Sequence, residues 1–255
     1  MSKLSAVIIT FNEENNIARC LDSIVNVVDE IIIIDSLSTD RTEAICSNYN
    51  VKFIKREWEG YSATKNFANS LVTSDYILSL DADEALSPEL TASILQAKKA
   101  GFTGVYELVR LTNYCGKWIY NSGWYPDVKI RVFPTEFSKW DGEIVHENLV
   151  FSKEQAVTRL NGDLYHYSYV SFIDHKNRAD QYSRLTAIKY AQKGKKANLI
   201  SPYFSALARF VSMFVFKKGF LDGYMGYKIA AISAASNIYK YQEVRRINRE
   251  NSKNK

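Results

Sequence analysis

The chain is poor in the residues that break or staple a fold. Four prolines in 255 residues exclude a proline-rich rod or linker. The cysteines Cys20, Cys46 and Cys115 are odd in number and scattered. Neither a disulfide framework nor a cysteine metal site is expected, and a reduced, cytoplasmic setting fits. No uncharged run approaches the ~18–20 residues that span a bilayer. One of the longest, 197–208, includes Asn, Ser and Pro. The chain passes from Met1-Ser2-Lys3 straight into a strand-like run, so no signal peptide is expected. Neither G-x-G-x-x-G after the first strand nor G-x-x-x-x-G-K-[ST] occurs, which excludes the usual dinucleotide fold and the P-loop. There is no internal repeat.

What is present is an uneven distribution of charge around a large apolar fraction. The composition is 46% hydrophobic, with 17 Tyr and 13 Phe, enough for one sizeable core and an appendage. Residues 1–150 hold 14 basic and 21 acidic side chains, and residues 151–255 hold 19 and 7. A basic final third beside an acidic front suggests two jobs. Basic surface attracts nucleic acid or anionic lipid, although solvated helix faces account for many such lysines.

Strand and helix signals alternate four times over the first hundred residues, which argues an α/β domain with a mainly parallel sheet. Ser5 to Phe11 reads as a buried strand, and Ile17, Leu21, Ile24 and Val28 follow at helical spacing. Glu30 to Asp35 is a second strand ending in a carboxylate. Asp40 with Glu43 suggests a capping box for a helix over about 41–49. Val51 to Ile54, a helix over 62–71, and the strand Tyr76 to Asp81 come next. Ser87-Pro88 opens a further helix that Gly101 ends.

Ligands of open α/β sheets sit at the carboxyl ends of strands. Here those ends carry Asp35 and the run Asp81-Ala82-Asp83-Glu84. In extended chain Asp81 and Asp83 point the same way, and two crowded carboxylates repel unless a cation lies between them. Mg²⁺ or Mn²⁺ bridging to a substrate phosphate is the chemical reading, and a solvated acidic turn is the plain one. An acid at one strand end for a base or ribose, and a pair further on for a metal, suits a nucleoside-diphosphate substrate.

After residue 104 shorter strands are expected, over 105–111, 117–120 and 128–133. The loop around Trp124 and Asp127 suits an acceptor sugar, with packing as the alternative for Trp124. Arg131 could face a diphosphate, with a surface strand face as its alternative. His166 and His146 are candidate third metal ligands or structural histidines. From about 168 the chain reads as helices, with an apolar stripe through Phe204, Leu207, Phe210 and Phe214. That stripe fits a helix in a membrane interface and a helix packed on its own domain. The cluster Lys193 to Lys196 favours an anionic membrane surface.

Val7-Ile8-Ile9-Thr10-Phe11-Asn12-Glu13, Ile33 to Thr42 and Leu80 to Glu84 together resemble the family 2 glycosyltransferases. Gly60-Tyr61 with Lys65-Asn66, Val145-His146-Glu147 and Lys218 to Gly223 look like the bacterial branch that builds lipopolysaccharide core. The resemblance implies a GT-A type, Rossmann-like mixed sheet with flanking helices over 1–168, and a basic helical extension over 169–255. It implies a metal-dependent, inverting transfer from a nucleotide-sugar donor, UDP-glucose by default, to a glycan or glycolipid acceptor. By the resemblance Thr10, Phe11, Asn12, Glu13, Asp35, Lys65 and Asp81 would bind the donor, and the strand pattern adds Arg131, facing the diphosphate or a phosphorylated acceptor. By the resemblance Asp83 would hold Mg²⁺ or Mn²⁺ and Glu147 would be the general base; the residues themselves offer Asp81 and His166 as further metal ligands. Peripheral contact with the inner membrane face is expected, and no nucleic-acid partner. The rivals are a polyprenyl-phosphate sugar synthase, a sugar-nucleotide pyrophosphorylase and a non-catalytic nucleic-acid binder. The pyrophosphorylase lacks its Gly-rich basic loop here, and the nucleic-acid binder leaves the acid-ended strands unexplained.

Overall fold

Runs of branched apolar residues build the parallel part of the sheet. The computed structural model describes residues 2–142 and 148–253. Strands β1 (Leu4–Thr10), β2 (Glu30–Asp35), β3 (Lys52–Lys55) and β4 (Tyr76–Asp81) lie parallel in the order β3-β2-β1-β4. Helices α1 (Ile17–Ile24), α2 (Thr42–Cys46) and α3 (Tyr61–Ser70) are the connections. The sheet then turns antiparallel. Strand β5 (Glu84–Leu86) is followed by α4 (Pro88–Ala100), β6 (Val105–Tyr114), β7 (Lys117–Ile119) and β8 (Asp127–Pro134). Next come β9 (Ser138–Asp141), β10 (Asn148–Phe151) and β11 (Val157–Tyr169). The order continues from β4 through β8, β6 and β11 to β5, so the sheet is mixed. Strands β9 and β10 form a separate antiparallel pair.

Alternation along β1 sorts the core into two layers. Ala6 and Ile8 join Ile33, Leu78 and Leu80 against Ile17, Leu21 and Ile24 of α1 and Leu90 and Ile94 of α4. Val7 and Ile9 join Ile32, Ile34 and Ile77 against Ala68 of α3, Phe133 and Trp140. Each fully buried Ile or Leu contributes about 1.5–3 kcal/mol.

Local chemistry sets several element ends. Ser87 caps α4, its Oγ accepting from the Leu90 amide at 3.1 Å, and Pro88 takes the first helical position. Gly101 closes α4 at φ 91°. The expected capping box of Asp40 and Glu43 does not form. Asp40 instead accepts from the Thr42 hydroxyl and amide and the Glu14 amide, while Glu43 pairs with Lys55 of β3.

The chain divides into two compact units, Met1–Leu111 with Asp127–Tyr167, and Thr112–Pro126 with Ser168–Lys255. The second unit holds α5 (Phe172–Gln192), α6 (Ser201–Val211) and α7 (Tyr224–Lys253). Segment 112–126 therefore lies with the helices. In the second unit Tyr114, Ile119, Met213, Ile229 and Ala230 form a small core. Asp222 is buried and accepts from the Tyr120 amide, the Asn121 amide group and the Ser122 hydroxyl. The helix expected over 203–218 stops early. A π-helical turn, Ser212–Phe216, is followed by Lys218 in the left-handed region at φ 53°. No helix among the described residues is long and apolar enough to cross a membrane.

Candidate active site

Parallel pairing brings three strand ends level at one edge of the first unit. Thr10 pairs with Asp35 and Ile9 with Asp81, so β1, β2 and β4 stop together. The loops after β1 and β2 are then tied by side chains. Asn12 stands at φ 55°, a left-handed conformation that Asn tolerates. Its amide donates to Ser38 Oγ at 2.8 Å, and its Oδ1 accepts from the Thr39 amide at 2.8 Å. The Glu13 amide donates to Thr42 Oγ1 at 2.9 Å, and the Glu14 amide to Asp40 Oδ2 at 3.0 Å. Asp35 is fully buried, and both its oxygens accept from Ser38, through the amide and the hydroxyl. Asp35 is thus the anchor of this loop pair. Hydrogen bonds hold Asp40 below the usual carboxylate range: burial works the other way, but the Thr42 hydroxyl and amide outweigh it.

Beyond β4 the chain does not stay extended. It turns at Ala82-Asp83 and enters β5 at Glu84, so Asp81 and Asp83 face different partners. Asp81 accepts from Arg131 Nη2 at 2.7 Å and lies 3.4 Å from Lys65 Nζ. Burial pushes its carboxyl up, but Arg131 and Lys65 hold it well below the usual range. Glu84 is 1% exposed. Its Oε1 meets Arg131 Nη2 at 2.5 Å and Arg110 Nη1 at 3.3 Å, and its Oε2 accepts from the Asp81 amide at 3.0 Å. Burial opposes the charge on Arg131, yet Asp81 and Glu84 raise its pKa far above the ordinary value. Arg110 also grips Asp127, at 2.6 Å and 2.9 Å, and Lys129 lies 3.1 Å from the same carboxylate. Lys65 is 1% exposed, with Nζ 4.6 Å from the Trp140 ring centroid. Asn66 Nδ2 donates to the Trp140 carbonyl at 2.7 Å, and Asn66 Oδ1 accepts its amide at 2.9 Å, fixing α3 beside β9.

The expected residues are therefore distributed unevenly. Thr10, Asn12, Glu13, Asp35, Lys65, Asp81 and Arg131 belong to the level edge and its supporting network. Phe11 is exposed at the same edge, and Thr10 Oγ1 is buried with no hydrogen-bond partner among the described residues. Asp127 faces Arg110 and Lys129. Trp124 lies in the second unit, packed at 5.4 Å on Tyr114 and 5.5 Å on Tyr169. Glu147 and His146 lie outside the described residues. Arg110, Trp140 and the bracing role of Glu84 went unread in the sequence. The apolar alternation of Val128 to Phe133 marks Arg131 as a strand residue, but nothing local marks which acids it meets.

Asp83 and His166 are the pair that suits a divalent cation. His166 Nε2 lies 3.3 Å from Asp83 Oδ2, and the Tyr167 amide donates to the Asp83 carbonyl at 2.9 Å. A carboxylate oxygen and an imidazole nitrogen side by side fit Mn²⁺ better than Mg²⁺, which takes oxygen ligands, when substrate phosphates complete the shell. Asp81 is committed to Arg131 and Lys65. Among the described residues no group of three or more His, Cys, Asp or Glu is placed to hold a metal.

Comparison with known proteins adds four findings. The family described as Glycosyl transferase family 2 matches residues 5–149. An uncharacterized glycosyltransferase of Rickettsia typhi is 31% identical over 97% of this chain and 88% of its own length. The lipopolysaccharide core biosynthesis glycosyltransferase LpsC of Rhizobium meliloti is 26% identical over 93% of this chain and 92% of its own length. Among solved structures, S. aureus TarS 1-349 in complex with UDP aligns over 98% of this chain and 92% of that one, at 16% identity and a TM-score of 0.44.

Proposed function

The chain belongs to glycosyltransferase family 2, and from that premise we propose that it is an inverting transferase acting on a cell-envelope acceptor. It moves a sugar from a nucleoside-diphosphate donor to a hydroxyl of a lipopolysaccharide-core or related glycan, with UDP-glucose the first donor to try. The likeness to LpsC supports the acceptor class. The observation that carries the donor reading is the level edge of Thr10, Asp35 and Asp81, with Lys65 and Arg131 behind it.

In this reading the laced loops from Thr10 to Glu13 and from Asp35 to Ser38 receive the nucleoside. Asp35, buried under Ser38, would accept from the base after Ser38 releases one of its oxygens. Asp81, already screened by two cations, accepts a ribose hydroxyl without bringing bare negative charge to the diphosphate. Lys65 and Arg131 set a positive potential beneath the phosphates. A divalent cation held by Asp83 and His166 would neutralise charge on the departing diphosphate. Glu147 takes the proton of the acceptor hydroxyl as its oxygen attacks the anomeric carbon. The new C–O bond forms on the face opposite the breaking bond to the diphosphate. The configuration inverts, the carboxylate leaves protonated, and the nucleoside diphosphate carries away the electron pair.

Calorimetric titration with UDP-, GDP- and ADP-sugars, with and without Mn²⁺, tests the reading. One donor should bind in a metal-dependent way, and Asp83→Asn should weaken that binding. Glu147→Gln should keep donor binding and lose about 10²–10⁴-fold in turnover. Absence of donor binding in every condition would overturn the proposal.

A further inference from the structure

The second unit gathers cations that its own acids leave unpaired. Where α5 ends and α6 begins, a hollow of about 310 Å³ is lined by Tyr190, Lys195, Lys196, Ser201, Ser205 and Tyr241. Lys195 Nζ lies 4.0 Å from the Tyr190 ring centroid, and Lys240 Nζ lies 4.6 Å from that of Tyr241. Arg209 of α6 bears on the same cluster. Burial, then Arg209 and Lys195, push the Lys240 amine below its ordinary value. Among the described residues no carboxylate pairs with Lys195, Lys196, Arg209 or Lys240. An anion in the hollow would relieve this repulsion.

On the same helix, α6, runs an exposed apolar stripe. Leu199, Ile200, Tyr203, Phe204 and Leu207 are exposed at a spacing that puts them on one face of α6 and its lead-in, with Phe204 69% and Leu207 61% exposed. Pro202 and Ala206 take the buried face. Aromatic and aliphatic side chains next to lysines are the pattern of a helix lying in a bilayer interface.

We propose that this face of the second unit docks on an anionic lipid bilayer. Headgroup phosphates enter the hollow lined by Lys195 and Lys196, with Lys240 beside it on the Tyr241 ring, and the Ser201 and Ser205 hydroxyls donate to their oxygens. Phe204 and Leu207 lie among the acyl chains. Charge selects the occupant: a second copy of this chain would bring the same unpaired lysines, whereas anionic lipid brings their complement. The aliphatic part of the stripe has no counterpart in a nucleic-acid backbone. The proposal stands on the second unit alone and is independent of the transfer chemistry.

Flotation of the full chain with vesicles, in the absence of nucleotide sugar, tests it. Vesicles containing phosphatidylglycerol should carry the protein, vesicles of phosphatidylcholine alone should not, and salt should weaken the binding. Each lysine removed should weaken it about fivefold, so Lys195→Ala with Lys196→Ala should lose about 25-fold. Phe204→Ser with Leu207→Ser should also release the protein while leaving its thermal transition in place, because both side chains are exposed. Equal binding to both vesicle types, or unchanged binding by both variants, would overturn the proposal. So would retention of inorganic phosphate with no vesicle binding, or a dimer in sedimentation velocity that Phe204→Ser dissolves. Donor binding without flotation defeats this inference alone, and flotation without donor binding defeats the transfer reading alone.

Discussion

Glu84 faces two guanidinium groups and the Asp81 amide from a position with 1% of its surface exposed. Removing one partner of a buried ion pair leaves the other uncompensated, which costs about 3–5 kcal/mol. Glu84→Gln should therefore lower the urea unfolding free energy by about 3 kcal/mol or more, and a loss under about 1 kcal/mol would show that Arg131 needs no such partner. Asp81 gives a pH dependence of definite sign. Its folded-state pKa lies below the unfolded value of about 3.9. Its contribution is complete above that value and is lost as pH falls through the folded one. Over about pH 5 to 2, wild-type stability should fall more steeply than that of Asp81→Asn, and parallel curves would contradict the assignment. The acids at the end of β4 were legible as a candidate site, because ligands of open α/β sheets sit at the carboxyl ends of strands. Their neutralising partners were not. Arg131 lies fifty residues further on, and no local pattern announces a contact at that separation.

Elements were legible where their boundaries are made by neighbouring residues. Ser87, Pro88 and Gly101 delimit α4 by capping chemistry alone. Where a distant element competes, the local signal fails. Glu43 leaves the capping box for Lys55, and α6 gives way to a π-helical turn in which the Lys217 amide donates to the Ser212 carbonyl at 2.8 Å. An apolar period continuing to Lys218 carries no mark of that change. Packing between elements also explains Gly162 of β11. It sits at φ 95°, and a Cβ there would lie 2.2 Å from the backbone nitrogen of Leu90 in α4. Gly162→Ala should thus cost more than about 1 kcal/mol and lower the melting temperature by several degrees, even though alanine adds one methyl group. An unchanged melting temperature would mean that α4 and β11 can separate freely.

At the scale of the whole chain, the acidic front and basic final third were readable from charge alone, and the alternation of strands and helices gave an α/β domain with a mainly parallel sheet; the mixed sheet came only from the family resemblance, because strands after residue 104 carry no local mark of their antiparallel pairing. The membership of 112–126 in the helical unit was not readable, because it rests on contacts such as those of Asp222 with residues 120–122, a hundred positions away. Stability within the first unit is also unevenly shared, since a chain opens in cooperative pieces. The loops after β1 and β2 hold one another's amides: Asn12 on Ser38, Thr39 on Asn12, Glu13 on Thr42 and Glu14 on Asp40. Neither loop can release these protons without the other. In hydrogen–deuterium exchange the four amides should therefore behave as one foldon with a common opening rate, and Asn12→Ala should speed all four together. Four unrelated rates would mean that the loops breathe separately. A shared rate would make the two halves of the proposed nucleoside cradle a single latch, so that whatever steadies one loop lengthens the lifetime of the other.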